Sequence, residues 1–253
     1  GESVTVIANP KDGFNFINWT FTDESVASTD ASYTFDMPAE PLHLTANFEV
    51  LAGEELVHYW HFNDLPSGTL TSVDADFSAY RSATITYPGE GGGYMDRFSP
   101  GSTVNAYLEA EAGFALRLRN PADTREMIIV APSTGYEGLF LTFVAHRSNN
   151  GAEHQELYYS IDGGDNWVQV GDAYDIPAIE PNYEIFNFDF SSIEELNNNA
   201  DLQFRILFTG ANASGASGNQ RIDNISITGT LIPAGGAEAL SIVSVNGGNP
   251  VIA

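Results

Sequence analysis

The chain has 253 residues, with 34 acidic against 9 basic side chains and a formal net charge of −25. That balance repels phosphate backbones and anionic lipid surfaces, so sequence-independent nucleic-acid binding and electrostatic membrane association are excluded. The absence of cysteine removes disulfides, thiolate metal sites and thiol nucleophiles together. Apolar residues make up 43% and aromatics 12%, enough for a packed core, and no apolar run approaches the ~20 residues of a membrane-spanning helix. Twenty-four glycines and twelve prolines favour many turns and short strands. Acidity, Asn/Asp/Gly-rich turns and a single lysine, Lys11, point to an extracellular or cell-surface setting, most naturally a bacterial one. The sequence opens directly on a strand pattern at Gly1 and is read as a piece of something longer.

Residues 1–49 form a first unit of alternating strands: ESVTVIANP, an aromatic FNFINWTF after a KDG turn, ASYTFDMP and LHLTANFE. Gly1, Glu2, Val4, Val6, Ala8 and Pro10, then Asp12, Gly13, Phe14 and Trp19, then Phe35, Met37, Pro38 and Ala39, and finally Leu44, Ala46 and Phe48 follow the pattern of a known repeat. The unit resembles the second half of the internalin-type B-repeat, also called the Listeria–Bacteroides repeat. The resemblance implies a small, partial β-grasp-like spacer with no catalytic role.

After a short linker at 50–53, residues 54–231 read as a run of strands separated by polar turns: LVHYWHFND, FALRLRN, REMIIVAP, LFLTFVAHR, QELYYSIDGG, NWVQVG, IFNFDF, DLQFRILFTG and RIDNISITG. Phe204, Ile206 and Phe208 alternate with Gln203 and Arg205, and Phe186, Phe188 and Phe190 alternate with Asn187 and Asp189, so each strand turns one face inward. The expected fold class is all-β, an antiparallel β-sandwich of jelly-roll type preceded by the partial repeat. Only SSIEELNNNA (191–200) reads as helical, for one or two turns, with Ser191 and Ser192 as the N-cap. Residues 232–253 read as a flexible linker followed by a strand and an Asn-Gly turn. These either open a further module, the favoured reading, or pack back on the sandwich.

Ser160-Ile-Asp-Gly-Gly-Asp-Asn-Trp167 resembles the Asp-box of sialidases and related β proteins, with Asn166 where threonine is usual. It is read as a hairpin device: Asp162 accepts turn N–H groups, Gly163 and Gly164 take positive φ, and Trp167 plugs the turn. YWHFND at the first strand and QRIDNISITG at the last resemble secreted jelly-roll modules of the carbohydrate-binding and adhesion type, whose first and last strands lie side by side. That resemblance implies a structural Ca²⁺ held by Asn63, Asp64 and Asp223. The residues agree in part. Asp223 shares a strand face with Ile225 and Ile227, and a buried carboxylate needs a cation or several donors. Arg221 or backbone N–H groups are the alternative partners.

The arginines are unevenly placed. Arg117 and Arg119 alternate with Phe114, Leu116 and Leu118 and project from one face. Arg147 ends its strand beside His146, and Arg205 points away from its strand's apolar face. Such a surface suits sugar hydroxyls or the carboxylates and sulfates of an acidic polysaccharide; the alternative is charge neutralisation by Glu153, Glu156 or Asp201. The polar loop 146–155 adds Asn150, His154 and Gln155, and Tyr158 follows it; Tyr94, Tyr107 and Tyr136 lie in connections where rings stack on sugars or anchor the core. His58 and His61, three apart in a strand, face opposite ways and make no zinc pair. No G-x-S-x-G or H-E-x-x-H occurs.

The expected function is therefore carbohydrate binding or adhesion by a non-catalytic, monomeric module. Its partner is a polysaccharide, an acidic one included, and it inserts into no membrane. The alternatives are a ligand-free spacer and a polysaccharide lyase, for which His146, Arg147 and Tyr158 are the local candidates.

Overall fold

A computed structural model describes residues 3–10, 14–39, 41–50, 53–178, 183–232, 240–246 and 249–252. In chain order the strands are β1 (Ser3–Ile7), β2 (Phe14–Thr20), β3 (Val26–Ser28), β4 (Ser32–Asp36), β5 (Leu44–Val50), β6 (Glu54–Trp60), β7 (Ser72–Asp74), β8 (Phe77–Ser78), β9 (Thr84–Thr86), β10 (Met95–Phe98), β11 (Ala115–Arg119), β12 (Glu126–Val130), β13 (Tyr136–Arg147), β14 (His154–Ser160), β15 (Val168–Asp175), β16 (Glu184–Asp189), β17 (Gln203–Thr209), β18 (Asn219–Leu231), β19 (Leu240–Asn246) and β20 (Asn249–Ile252). Every pairing among them is antiparallel. No helix among the described residues is long and apolar enough to cross a membrane.

The chain divides into two units, 1–53 with 233–253, and 54–232. In the first unit β1 pairs with β4, and β2 lies between β3 and β5. Alternation turns Val4 and Val6 toward a small core of Ala8, Trp19, Leu44 and Ala46, with Phe16 edge-on to Phe48 at 5.8 Å. The segment expected to open a further module supplies β19 and β20. Leu240–Ile242 runs along Leu44–Ala46 of β5, where an open strand edge offers unpaired N–H and C=O groups.

The second unit is a two-layer sandwich. One sheet, here the front, runs β10-β11-β18-β13-β16, with β6 beside the C-terminal half of β18 and β8 beside β6. The back sheet runs β15-β14-β17-β12-β9-β7. Between them lies a core that includes Trp60, Leu116, Phe143, Phe190, Phe204, Ile206, Phe208 and Ile222. Phe186 and Phe188 flank Phe143 at 5.6 and 5.9 Å, as their alternation requires. The first and last strands of the unit pair directly, from Trp60 opposite Ile225 to Glu54 opposite Thr230.

Two details depart from the sequence reading. The 191–200 segment contains one short 3₁₀ turn, Glu194–Leu196, with no side-chain cap. Ser191 does not cap it; its N–H donates to Asp189 Oδ1 at 2.8 Å, and burial of Leu196 anchors the turn. In β18 the alternation breaks at Asn224, whose φ is +47°, where the register against β13 shifts. Ile222 and Ile225 consequently both enter the core, and Asp223 lies on the opposite face from Ile225 and Ile227. It is nonetheless buried, because residues 99–114 cross that outer face as a strap. Asn105 Nδ2 donates to Asn224 O (2.7 Å), and the Tyr107 N–H donates to the Tyr59 hydroxyl (3.1 Å).

Candidate functional site

The strap covers half of the front sheet's outer face. The other half carries a transverse row in strict register: Asp96 on β10 opposite Arg117 on β11, Arg117 opposite Arg221 on β18, and Arg221 opposite His146 on β13. Asp96 accepts a two-pronged bond from Arg117 (Nε and Nη2, both 2.7 Å) and a second pair from Arg119 (3.2 and 3.0 Å). Burial raises the Asp96 pKa, but the bonds from Arg117 and then Arg119 outweigh it and hold the carboxyl below its ordinary range. Rings complete the row. Arg221 lies 3.7 Å and Arg117 5.2 Å from the Phe98 centroid, Arg119 lies over Tyr94 at 5.1 Å, and Tyr183 meets the His146 ring edge-on at 4.4 Å. Aromatic faces attract guanidinium charge, and the planar forks stay oriented for acceptors. Arg117 and Arg119 keep 18% and 32% of their side-chain surface exposed. Beside this row a cavity of about 420 Å³ is lined by Ser148, Asn149, Asn150, Ala178, Gly218 and Asn219, and Asn219 stands opposite Arg119.

The sequence-derived binding set does not form one surface. Arg117, Arg119 and His146 share the row, though His146 is buried, and Asn150 lines the cavity. Arg147 is tied to backbone carbonyls, of Ile176 just after β15 (2.9 Å) and of Asn149 in its own loop (3.2 Å). His154 Nδ1 is 2.7 Å from Asp175 Oδ1. Gln155 is fully buried and accepts from the Tyr174 hydroxyl at 3.0 Å, because alternation points 155, 157 and 159 inward; it is an interior residue. Tyr158 and Arg205 stand opposite one another on the outer face of the back sheet. There the Arg205 guanidinium lies 4.6 Å from the Tyr158 ring and 4.4 Å from Trp167 and 3.4 Å from Glu126 Oε2. Among the described residues Arg117 and Arg119 pair with Asp96, and Arg205 with Glu126, rather than with Glu153, Glu156 or Asp201. Tyr158 and His146 sit on opposite outer faces, so the three lyase candidates do not converge.

Of the rings in connecting segments, Tyr94 joins the row. Tyr136 is buried, with its hydroxyl 3.4 Å from Glu55, and Tyr107 packs on Tyr59 at 5.6 Å. Asp96, Phe98, Asn219 and Tyr183 escaped the sequence reading. The spacing of Asp96 and Phe98 in MDRF was the available signal, since both project to the side opposite Met95. The Asp-box hairpin forms as its residues dictate. Asp162 Oδ1 accepts from Asn166 N–H (2.9 Å) and Ser160 Oγ (2.7 Å), and Oδ2 accepts from the Asn166 amide (2.7 Å). These bonds, Asn166 foremost, draw the Asp162 pKa down to about 2.

The three residues expected to hold calcium each have their own partners. Asp223, 1% exposed, accepts the N–H groups of Ser102 (2.7 Å) and Asn224 (2.8 Å), and burial pushes its pKa up to about 8. Asn63 pins the far end of the strap, its amide donating to Glu111 O (2.8 Å) and accepting from the Phe114 N–H (2.7 Å). The Gly101 N–H donates to Gly113 O, so Asp223 and Asn63 grip two ends of one closed segment. Asp64 sits apart, with His61 and Asp76. A hard cation fits Asp223, a buried carboxylate held only by neutral donors. It fits Asn63 less well, because that amide oxygen already accepts a backbone N–H.

Residues 1–52 match the family model of the divergent InlB B-repeat domain, in line with the resemblance seen in the sequence. No curated protein matches the chain. Among solved structures it is similar to the CBM22-1 xylan-binding domain of Paenibacillus barcinonensis Xyn10C (9% identity, 73% of this chain and 99% of that one, TM-score 0.43). It is also similar to the N-terminal cellulose-binding domain of Cellulomonas fimi β-1,4-glucanase C (12% identity, 57% and 88%, TM-score 0.36) and to the K2 cleaved adhesin domain of Lys-gingipain (9% identity, 56% and 88%, TM-score 0.36).

Proposed function

We propose that the sandwich is a non-catalytic carbohydrate-binding module, that it holds a polysaccharide at the Arg117–Arg119 end of the front sheet's row, and that it acts as a monomer outside the cell. One observation carries the reading. On a chain of net charge −25 with nine basic residues, two partly exposed guanidiniums, Arg117 and Arg119, backed by the buried Arg221, gather on one sheet face among Tyr94, Phe98 and Tyr183, beside a polar cavity. Arginine forks and aromatic faces are the groups that grip sugar hydroxyls and ring faces. With Asp96 as the counter-charge in the row, the local balance favours a glycan bearing carboxylates or sulfates. Adhesion to surface polysaccharide is the same chemistry at the scale of the parent protein.

Affinity electrophoresis and calorimetry against a panel of neutral and uronate-containing polysaccharides test the reading. Binding is expected, weakened about tenfold or more in Arg117→Ala and Tyr94→Ala, as befits a fork or ring lost from a sugar site. Absence of binding across the panel, or binding indifferent to both changes, overturns it in favour of a spacer. Appearance of unsaturated products would instead reveal a lyase.

A structural Ca²⁺ at Asp223 belongs to the same proposal. It would neutralise the buried carboxylate and fasten the strap to β18. Thermal melting with added calcium against EDTA is expected to show a higher Tm with the ion and no difference in Asp223→Asn; equal melting of the parent protein in both media removes the ion.

A further inference from the structure

We propose that His61, Asp64 and Asp76 form a second cation site, suited to zinc and independent of both the glycan-binding row and Asp223. One ligand atom from each lies within 4.8 Å of the other two. His61 and Asp64 stand either side of a turn whose hinge is Phe62, at φ +58°, and Asp76 approaches from the segment between β7 and β8. His61 Nε2 and Asp76 Oδ1 are 3.5 Å apart, close to the roughly 3.3–3.5 Å between two ligands of a tetrahedral zinc ion with bonds near 2.1 Å. The second oxygen of Asp76 accepts the His61 backbone N–H at 2.7 Å and that of Phe62 at 3.4 Å. That carboxylate is therefore held in place by the backbone while its first oxygen faces the imidazole. Such outer support is what orients a metal ligand.

The surroundings of the two carboxylates carry no opposing charge. Asp64 and Asp76 open onto a cleft of about 250 Å³ that Asp74 also lines, and none of the residues lining it is basic. One imidazole with two carboxylates suits zinc better than calcium, which prefers six or more oxygens. His61 Nδ1 accepts the Asn63 N–H at 3.1 Å, so a neutral ring carries its proton on Nε2. Coordination through Nε2 moves that proton to Nδ1 and ends the Asn63 bond.

The test is calorimetric titration of the EDTA-treated, dialysed full chain with zinc chloride, paired with cobalt(II) as a spectroscopic probe of tetrahedral coordination. Saturable one-to-one binding is expected, with a visible cobalt band that zinc abolishes. Affinity should fall about tenfold or more in His61→Gln and in the exposed Asp64→Asn, and persist in Asp223→Asn and Arg117→Ala. Asp64→Asn keeps the test valid if His61→Gln disturbs the turn, with circular dichroism as the folding control. No saturable zinc binding, binding unchanged in Asp64→Asn, or equal competition by calcium each overturns the site.

Discussion

Asp223 and Asp96 are two buried carboxylates of opposite temperament on one sheet face. Asp96 has two arginines and a lowered pKa, so its contribution to stability is present above the ordinary carboxylate range and disappears as acid protonates it. Asp223 has only neutral donors, and its pKa is raised to about 8 in the folded chain. The folded state therefore binds its proton more tightly than the unfolded state. Without calcium, its contribution is fully present below the unfolded value of 3.8 and is lost as pH climbs through about 8. Calcium needs the ionised form, so the gain in Tm on adding calcium is expected to widen from pH 5 to pH 8. In Asp223→Asn both the widening and the falling apo stability should vanish. Melting curves at several pH values with and without EDTA measure this, and a calcium effect that is flat with pH would contradict it. The alternation of 114–119 showed in the sequence that Arg117 and Arg119 share a face. It did not show Asp96 between them, because that pairing joins strands separated by a long connection.

At the scale of elements, the strap 99–114 decides what the front sheet exposes. Its tight passage depends on Gly101, where an added Cβ would collide with the Ala112 carbonyl and with Asp223 Oδ2. Neither can retreat, the first being backbone and the second buried. Gly101→Ala is expected to cost about 1–3 kcal/mol, as overfilling of a packed site does. Gly92→Ala, where nothing lies within 4 Å, should stay within about 0.5 kcal/mol. Urea unfolding of the two variants distinguishes them, and equal midpoints would show that the strap is loosely held. Strand periodicity made most strands legible, because period-2 burial writes itself directly into residue order. The strap was not legible: its polar, glycine-rich residues have no period, and only the fold shows what they cover. The bulge at Asn224 was hidden for a related reason. IDNISI alternates as smoothly on paper as an unbulged strand, and the register break is imposed by pairing with β13.

For the whole molecule, the split at 53/54 and 232/233 coincides with the change from repeat-like to sandwich-like sequence. The sandwich core is formed within 54–232, and β6 and β18 close the unit on itself. Residues 54–232 alone are expected to fold with one cooperative thermal transition and to carry the glycan binding proposed for the full chain. A fragment lacking cooperative unfolding would mean that the flanking residues complete its core. The repeat was visible in the sequence because its residues follow their own pattern. The placement of 240–246 along β5 was not, since a lone strand beside an Asn-Gly turn names no partner.

Direct pairing of Glu54 with Thr230 also has a mechanical consequence. When tension draws the two ends of the sandwich apart, the load falls on the outermost rung of the β6–β18 ladder, and the rungs part in succession like the teeth of a zip. A ladder loaded in this direction parts one rung at a time, so the pairing geometry lets the unit lengthen stepwise.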